Sequence, residues 1–381
     1  LIAVRTPEGE YGLIDEFCAH RGVSMFFGRV ENGGIRCPYH GWKYNANGQA
    51  IDVPSELNNS EFCKNVKLRS YPLVKLGDIL WSYLGDPEKQ PELPAWEFAT
   101  VPSSQTFTSK RIQESNWLQA MEGGIDSSHV TWLHGGGPKG SGLEADPLFA
   151  GAKGNEYNKG DLKPFFEVVE NSGGLFVAAR RNAEEGHYYW RVTPWVLPNF
   201  TMVPPRGDHP MHGHFWVPID DENCWAWSFD YHPARDLTAK EVSAMEAGAG
   251  VHSKNIPGTY RPVANKDNEY LIDREKQKSG ELFSGVEGIA IQDSSLQESM
   301  GPVVDRTKER LVAADTGIIK ARQKLRRAVE ALRDEGTEPP GNVIEHQKIR
   351  SVAIVLPPDL PFVEGIGDGF QAIEGMPQTT V

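Results

Sequence analysis

Cys18-Ala19-His20-Arg21-Gly22 and, after sixteen residues between His20 and Cys37, Cys37-Pro38-Tyr39-His40-Gly41-Trp42 decide how this chain reads. Each short loop offers one thiolate and one imidazole. Two such pairs suit a [2Fe-2S] unit in which the thiolates hold one iron and neutral imidazoles hold the other. Exchanging two anionic ligands for neutral ones favours the reduced state and raises the potential. Gly22 and Gly41 permit tight loops, and Pro38, Tyr39 and Trp42 are placed to shield the metal from water. A Cys2His2 zinc site with the same four ligands is the alternative. Zinc fingers rarely use a Cys-x-His pair, however, and usually close with two histidines. Ligand type and spacing favour the cluster.

Outward from these loops, residues 1–86 read as an all-β module. Short alternating segments (1–5, 11–15, 34–37, 79–84) are separated by turn signals such as Pro7-Glu8-Gly9 and Asn45-Ala46-Asn47-Gly48. A polar, Pro-rich stretch from Gly85-Asp86-Pro87 marks a domain boundary, and 87–381 form the second domain. There the pattern becomes α+β. Residues 116–133 read as partly helical, interrupted at Gly123-Gly124. Aromatic-rich strands follow at 174–180, 188–193, 215–218 and 225–231. A helix then carries Ile318, Ala321, Leu325, Ala328, Val329 and Leu332 on one face and stops before Gly336.

An electron carrier of this cluster type needs only about 100 residues, so the remainder requires a purpose. His129 and His134 lie five apart and Asp126 three before His129, one helical turn away on the same face. Two histidines can occupy two positions of a facial triad, with a carboxylate from elsewhere as the third and open sites left for dioxygen. Asp293, Glu298 and Asp305 are rival carboxylates. Taken alone, the spacing of the two histidines is a weak signal.

The joint pattern is specific. Cluster ligands followed by D-x2-H-x4-H resemble the large (alpha) subunit of Rieske non-haem iron aromatic-ring oxygenases, in the phthalate dioxygenase-like branch. The segments NWLQAMEGGIDSSH (116–129), NKDNEYLIDR (265–274) and QDSSLQESMGP (292–302) carry the likeness along nearly the whole chain. It implies an all-β Rieske domain followed by a helix-grip catalytic domain. Cys18, His20, Cys37 and His40 would ligate the cluster, and His129, His134 and Asp293 a mononuclear Fe(II). It places Asp293 at the start of a helix. The likeness further implies a head-to-tail trimer, or a multiple of trimers, with one subunit's cluster beside the next subunit's iron. Asp126 would bridge a histidine ligand of each metal, and a separate NADH-dependent flavin/iron–sulfur reductase, with or without a ferredoxin, would supply electrons. The activity implied is hydroxylation, once or twice, or O-demethylation of an aromatic carboxylate by dioxygen. Family members also carry a few tens of residues ahead of the position of Leu1, so further residues are expected to precede it.

A buried carboxylate needs a fixed cation, and Arg180, Arg181 and Arg191 lie on strands suited to line a pocket. Alternation turns Arg180 and Arg181 to opposite faces. Surface pairing with Glu184 or Glu185 is the bland alternative for each. Trp190, Trp195 and Phe200 are candidates to sandwich a ring. His209, His212 and His214 read as ordinary histidines outside any metal site, with His212-Gly213-His214 entering a strand and substrate-pocket lining the alternative; Cys63 and Cys224 read as small buried residues. Two rival functions remain open here: a Rieske electron-transfer protein and a metal-dependent hydrolase.

Composition narrows the partners. A net charge of −13 argues against nucleic acid and suits docking of a basic protein surface. No apolar run approaches the roughly 20 residues that span a bilayer. The four cysteines are too few for a disulfide-stapled secreted chain, which points to a reducing, cytoplasmic setting.

Overall fold

Short strands and tight turns build the first of two compact units, Leu1–Glu92; the second is Leu93–Val381. The computed structural model describes residues 1–137, 140, 142–184 and 186–381.

In the first unit, strands Arg29–Glu31, Gly34–Arg36, Lys43–Tyr44 and Ala50–Asp52 form an antiparallel sheet. A second sheet joins Ile2–Arg5, Tyr11–Ile14 and Ser70–Tyr71, and Leu73–Leu76 pairs with Ile79–Ser82. None exceeds four residues, so the unit depends on one shared core. Ile14, Met25, Ile35, Tyr44 and Val53 fill it, with Cys18 and Cys37 packed among them.

The second unit is an eight-stranded antiparallel sheet: β1 Thr106–Gln113, β2 Phe165–Glu170, β3 Gly174–Asn182, β4 Tyr188–Val196, β5 Phe200–Val203, β6 Met211–Pro218, β7 Cys224–Tyr231 and β8 Val352–Leu356. The order is β1-β7-β6-β5-β4-β3-β2, and β8 pairs with the part of β4 that short β5 leaves open. Period-two alternation sorts side chains to two covered faces. Leu175, Val177, Trp195 and Trp216 face helices α1 (Trp117–Ile125) and α3 (Thr316–Glu335). Ala178, Trp190 and Val192 face Phe362, Ile366 and Phe370. Helix α2 (Ile289–Ser299) lies beside α1.

Three local expectations change. The helix does not break at Gly123-Gly124 but runs through both glycines to Ile125. A Cβ on Gly124 would lie 2.9 Å from Thr201 Oγ1, so the glycine serves close helix-to-sheet approach. On α3, Ala321 is buried with Ile318, Leu325 and Ala328 against it, while Val329 and Leu332 are exposed. Four of the eight strands, β1, β2, β5 and β8, were not read from sequence.

Candidate metal centres

The two cysteine loops fold alike. Cys18 N donates to Val23 O and its carbonyl accepts from Gly22 N; Cys37 N donates to Trp42 O and its carbonyl accepts from Gly41 N. Both loops turn through a left-handed glycine, Gly22 at φ 73° and Gly41 at φ 79°, where a side chain would be strained. The cysteines are buried, whereas the His20 and His40 rings meet edge to face at 4.5 Å nearer the surface. Tyr44 Oη accepts from Ala19 N at 3.2 Å and lies within hydrogen-bond reach of Cys18 Sγ, 3.3 Å away. Burial pushes the Cys18 thiol up and Cys37 adds to it, so a free thiolate is disfavoured there. Of the three residues expected to shield the site, only Trp42 is buried, stacked 4.8 Å from His20; Pro38 and Tyr39 are exposed.

In the second unit, the chain leaves α1 at Asp126 in extended geometry rather than continuing the helix. Asp126 therefore acts as a cap for the next turn: its carboxylate accepts from Ser128 N (2.6 Å) and His129 N (3.3 Å). Residues Val130–His134 form a π-helical turn, closed by Gly135 N donating to Val130 O. In an α-helix, residues five apart point about 140° away from each other. The wider turn brings them to one side, and π-bulges recur at functional sites for this reason.

Both imidazoles are locked from behind. His129 Nδ1 donates to Asp126 Oδ2 at 3.1 Å. His134 Nδ1 donates to Gln292 Oε1 at 2.8 Å, and Gln292 is oriented by its own Nε2–H bond to Val286 O. Each Nε2 lone pair is thus turned toward Asp293 Oδ1, at 3.5 Å from His129 and 3.3 Å from His134. Three electron-pair donors lie within 4.8 Å of one another. Such a set repels itself unless a cation or proton sits among them, so its chemistry fits a divalent metal. Burial alone would raise the Asp293 carboxyl, but where protons take the place of a metal the imidazolium charges, His134 first, outweigh it and hold it at about 2. Burial would likewise lower His129, yet Asp126 outweighs it and the group is raised.

Asp293 stands in the middle of α2, not at its start, and α2 ends at Ser299. The rival carboxylates are occupied elsewhere. Glu298 bonds the Tyr270 hydroxyl at 2.6 Å, and exposed Asp305 caps a short turn.

A cleft of ≈ 60 Å³ opens over the triad, lined by Asp126, His129, His134, Asp293, Arg191, Arg206, His212, His214, Trp216 and Phe149 among others. Of the three arginines proposed from sequence, only Arg191 lines it. Arg180 lies on the opposite face, its guanidinium 4.2 Å from the Tyr188 ring. Arg181 is buried but bonds Ser127 O (3.0 Å) and Thr131 Oγ1 (3.3 Å), bracing the turn that carries His129. Glu184 bonds Tyr157 instead, and Glu185 lies outside the described residues. Arg191 is 1% exposed, its Nε and Nη1 have no partner, and burial lowers its basicity.

The aromatic wall differs as well: Trp190, Trp195 and Phe200 belong to the cores and to a stack on Trp96. His212 and His214 sit on β6, the strand their segment was expected to enter, and line the cleft, which favours pocket lining over an ordinary loop place for both; His209 bonds Ala150 O. Sequence reading missed Arg206 and Gln292. Gln292 had a signal, its place beside Asp293. Arg206, in Pro204-Pro205-Arg206-Gly207, had none.

Comparison with known proteins supports the same assignment. Residues 1–72 match the family described as Rieske [2Fe-2S] domain, and residues 82–358 the family described as LigXa C-terminal domain like. The chain is 36% identical to the 3-chlorobenzoate-3,4-dioxygenase oxygenase subunit of Comamonas testosteroni, over 90% of this chain and 80% of that protein. It is 32% identical to the phthalate 4,5-dioxygenase oxygenase subunit of Pseudomonas putida, over 87% and 75%. To the 5,5'-dehydrodivanillate O-demethylase oxygenase subunit of a Sphingobium it is 29% identical, over 89% and 71%. The fold resembles dicamba monooxygenase bound to dicamba, with a TM-score of 0.53 at 15% identity over 87% and 90% of the two chains. Among the described residues, no helix is long and apolar enough to cross a membrane. A match spanning both units is more than an electron carrier would give. The chain belongs to the Rieske-type oxygenases as an oxygenase (alpha) subunit, an oxidoreductase using dioxygen whose cofactors are a Rieske [2Fe-2S] cluster and a mononuclear non-haem iron.

Proposed function

We propose that this subunit hydroxylates or O-demethylates an aromatic carboxylic acid held by Arg191 over an iron bound by His129, His134 and Asp293. Residues 1–86 form the cluster-bearing domain, with Cys18, His20, Cys37 and His40 as ligands, and 87–381 the catalytic domain. The metals supply electrons and dioxygen activation; the chain supplies position. The observation that carries the reading is the convergence of two locked Nε2 atoms and one carboxylate in a cleft that Arg191, buried with Nε and Nη1 unpartnered, also lines. A guanidinium so buried is costly without a counter-anion, and a substrate carboxylate provides one. The relatives named for 3-chlorobenzoate and phthalate point to the same substrate class.

Electrons come from a separate NADH-dependent reductase, in the cytoplasm. The working assembly is a head-to-tail ring of three, or a multiple of it, in which Asp126 links His129 to His40 of the next subunit. The test is a panel of aromatic acids run with a surrogate reductase and NADH, products being identified by mass. One acid gaining oxygen or losing a methyl group supports the reading. If no acid turns over while cluster and iron are fully loaded, the substrate class is wrong. Light scattering of the active enzyme tests the ring: a fully active monomer removes it.

A further inference from the structure

Two buried polar atoms, on residues that both line the cleft, have nothing to bond. Arg206 is 3% exposed; its Nη1 donates to Asn155 Oδ1 at 3.0 Å, and its guanidinium lies 4.9 Å from the Phe149 ring centre. Its Nε–H has no partner. His212 is 1% exposed, with its ring 5.1 Å from the same phenylalanine. His212 Nδ1 meets the Pro210 carbonyl at 3.3 Å. A carbonyl can only accept, so Nδ1 carries the hydrogen and Nε2 keeps a bare lone pair. That Nε2 is also buried and unpartnered. Burial, then the nearby Arg206 charge, pushes His212 down to about 3, so the ring stays neutral at pH 7.

Arg206 is set in place before any ligand arrives. Asn155 holds it, and Asn155 Nδ2 is itself fixed by Glu144 Oε1 (2.7 Å) and Phe149 O (2.7 Å). Both residues pack on Phe149 and line the same cleft, which is thereby offered one fixed donor and one fixed acceptor. An ether or halogen would satisfy the donor and leave the acceptor bare. A second carboxylate would set its lone pairs against that of Nε2, and an apolar substituent would leave both groups unpaired. A hydroxyl both accepts and donates, and so completes both.

We propose that Arg206 and His212 form a hydroxyl-binding subsite, so that the substrate is a hydroxylated aromatic acid. Its phenolic oxygen accepts from Arg206 Nε–H, its hydrogen goes to His212 Nε2, and its carboxylate lies on Arg191. This rests on the aromatic-acid reading above and narrows it.

The test measures binding rather than turnover. Dissociation constants are taken by calorimetry on the oxidised holoenzyme for benzoate, the three monohydroxybenzoates, their methoxy counterparts and phthalate. The best hydroxybenzoate should bind about tenfold or more tighter than benzoate, and its methoxy counterpart should lose that gain. In His212→Phe and in Arg206→Met the ratio between hydroxybenzoate and benzoate should collapse to within about twofold, while His212→Gln, which keeps an acceptor, restores part of it. No hydroxyl gain in the wild type, or a gain that persists in both variants, or phthalate as the tightest ligand, overturns the subsite. The wild-type ligand series decides even where a variant fails to fold. Failure of the broader reading looks different: no aromatic acid binds, and Arg191→Met changes nothing.

Discussion

Asp126 Oδ2 lies 3.1 Å from His129 Nδ1, and this contact determines which nitrogen of His129 faces Asp293. The carboxylate also caps the turn that carries the histidine, through Ser128 N and His129 N. One side chain therefore fixes both the backbone start and the ring orientation. Burial would raise the Asp126 carboxyl, but the bond to His129 outweighs it and keeps the group low and charged.

Asp126→Asn should keep both metals, because the residue stands behind a ligand and is not one. Turnover should fall by about 10–100-fold or more, while the visible spectrum of the cluster and the iron content stay normal. Near wild-type turnover in this variant would remove Asp126 from the electron path.

His129→Ala and Asp293→Ala should each lose the mononuclear iron and all oxygenation, yet keep the red-brown colour of the cluster. Cys37→Ser should bleach it. Iron and inorganic sulfide analysis alongside the absorption spectrum separates the two sites. Should Asp293→Ala hold its full iron while Asp305→Ala loses it, the ligand set proposed here fails.

Arg191→Met should raise KM for the best acid by roughly 10–100-fold, or ~1.5–3 kcal/mol, with a smaller effect on a neutral analogue. Arg180→Met should shift it by no more than about twofold, since its guanidinium is held among Phe165, Tyr188 and Trp190 on the far face of the sheet. Equal effects from the two variants would mean that Arg191 is structural.

Gly124→Ala tests the seat of α1 on the sheet. The added Cβ would stand 2.9 Å from Thr201 Oγ1 and 3.2 Å from Trp216 Nε1, a pair already hydrogen-bonded at 3.0 Å and unable to part freely. The thermal midpoint should fall by roughly 2–10 °C, and iron retention should fall with it because α1 leads directly into Asp126. An unchanged midpoint would show that the helix shifts without cost.

What the sequence determined by itself was the chemistry held in local spacing. Both cluster loops were legible because Cys, His and the left-handed glycine fall within five residues, where chain geometry leaves little freedom. His129 and His134 were legible for the same reason, although the π-turn that unites them was not. The tertiary structure alone decided what depends on distant segments meeting. Asp293 arrives more than 150 residues after His134, and rival carboxylates of the same type stood nearby in the chain. Arg180, Arg181 and Arg191 look alike in sequence. Strand register turns the first to the far face, the Ser127–Thr131 turn occupies the second, and only the third lines the cleft. Arg206 carried no readable signal, and His212 only that of a strand entry with pocket lining as an alternative, because a side chain acquires its role from what packs around it. Phe149, Asn155 and Pro210 come together around them only after the sheet has closed.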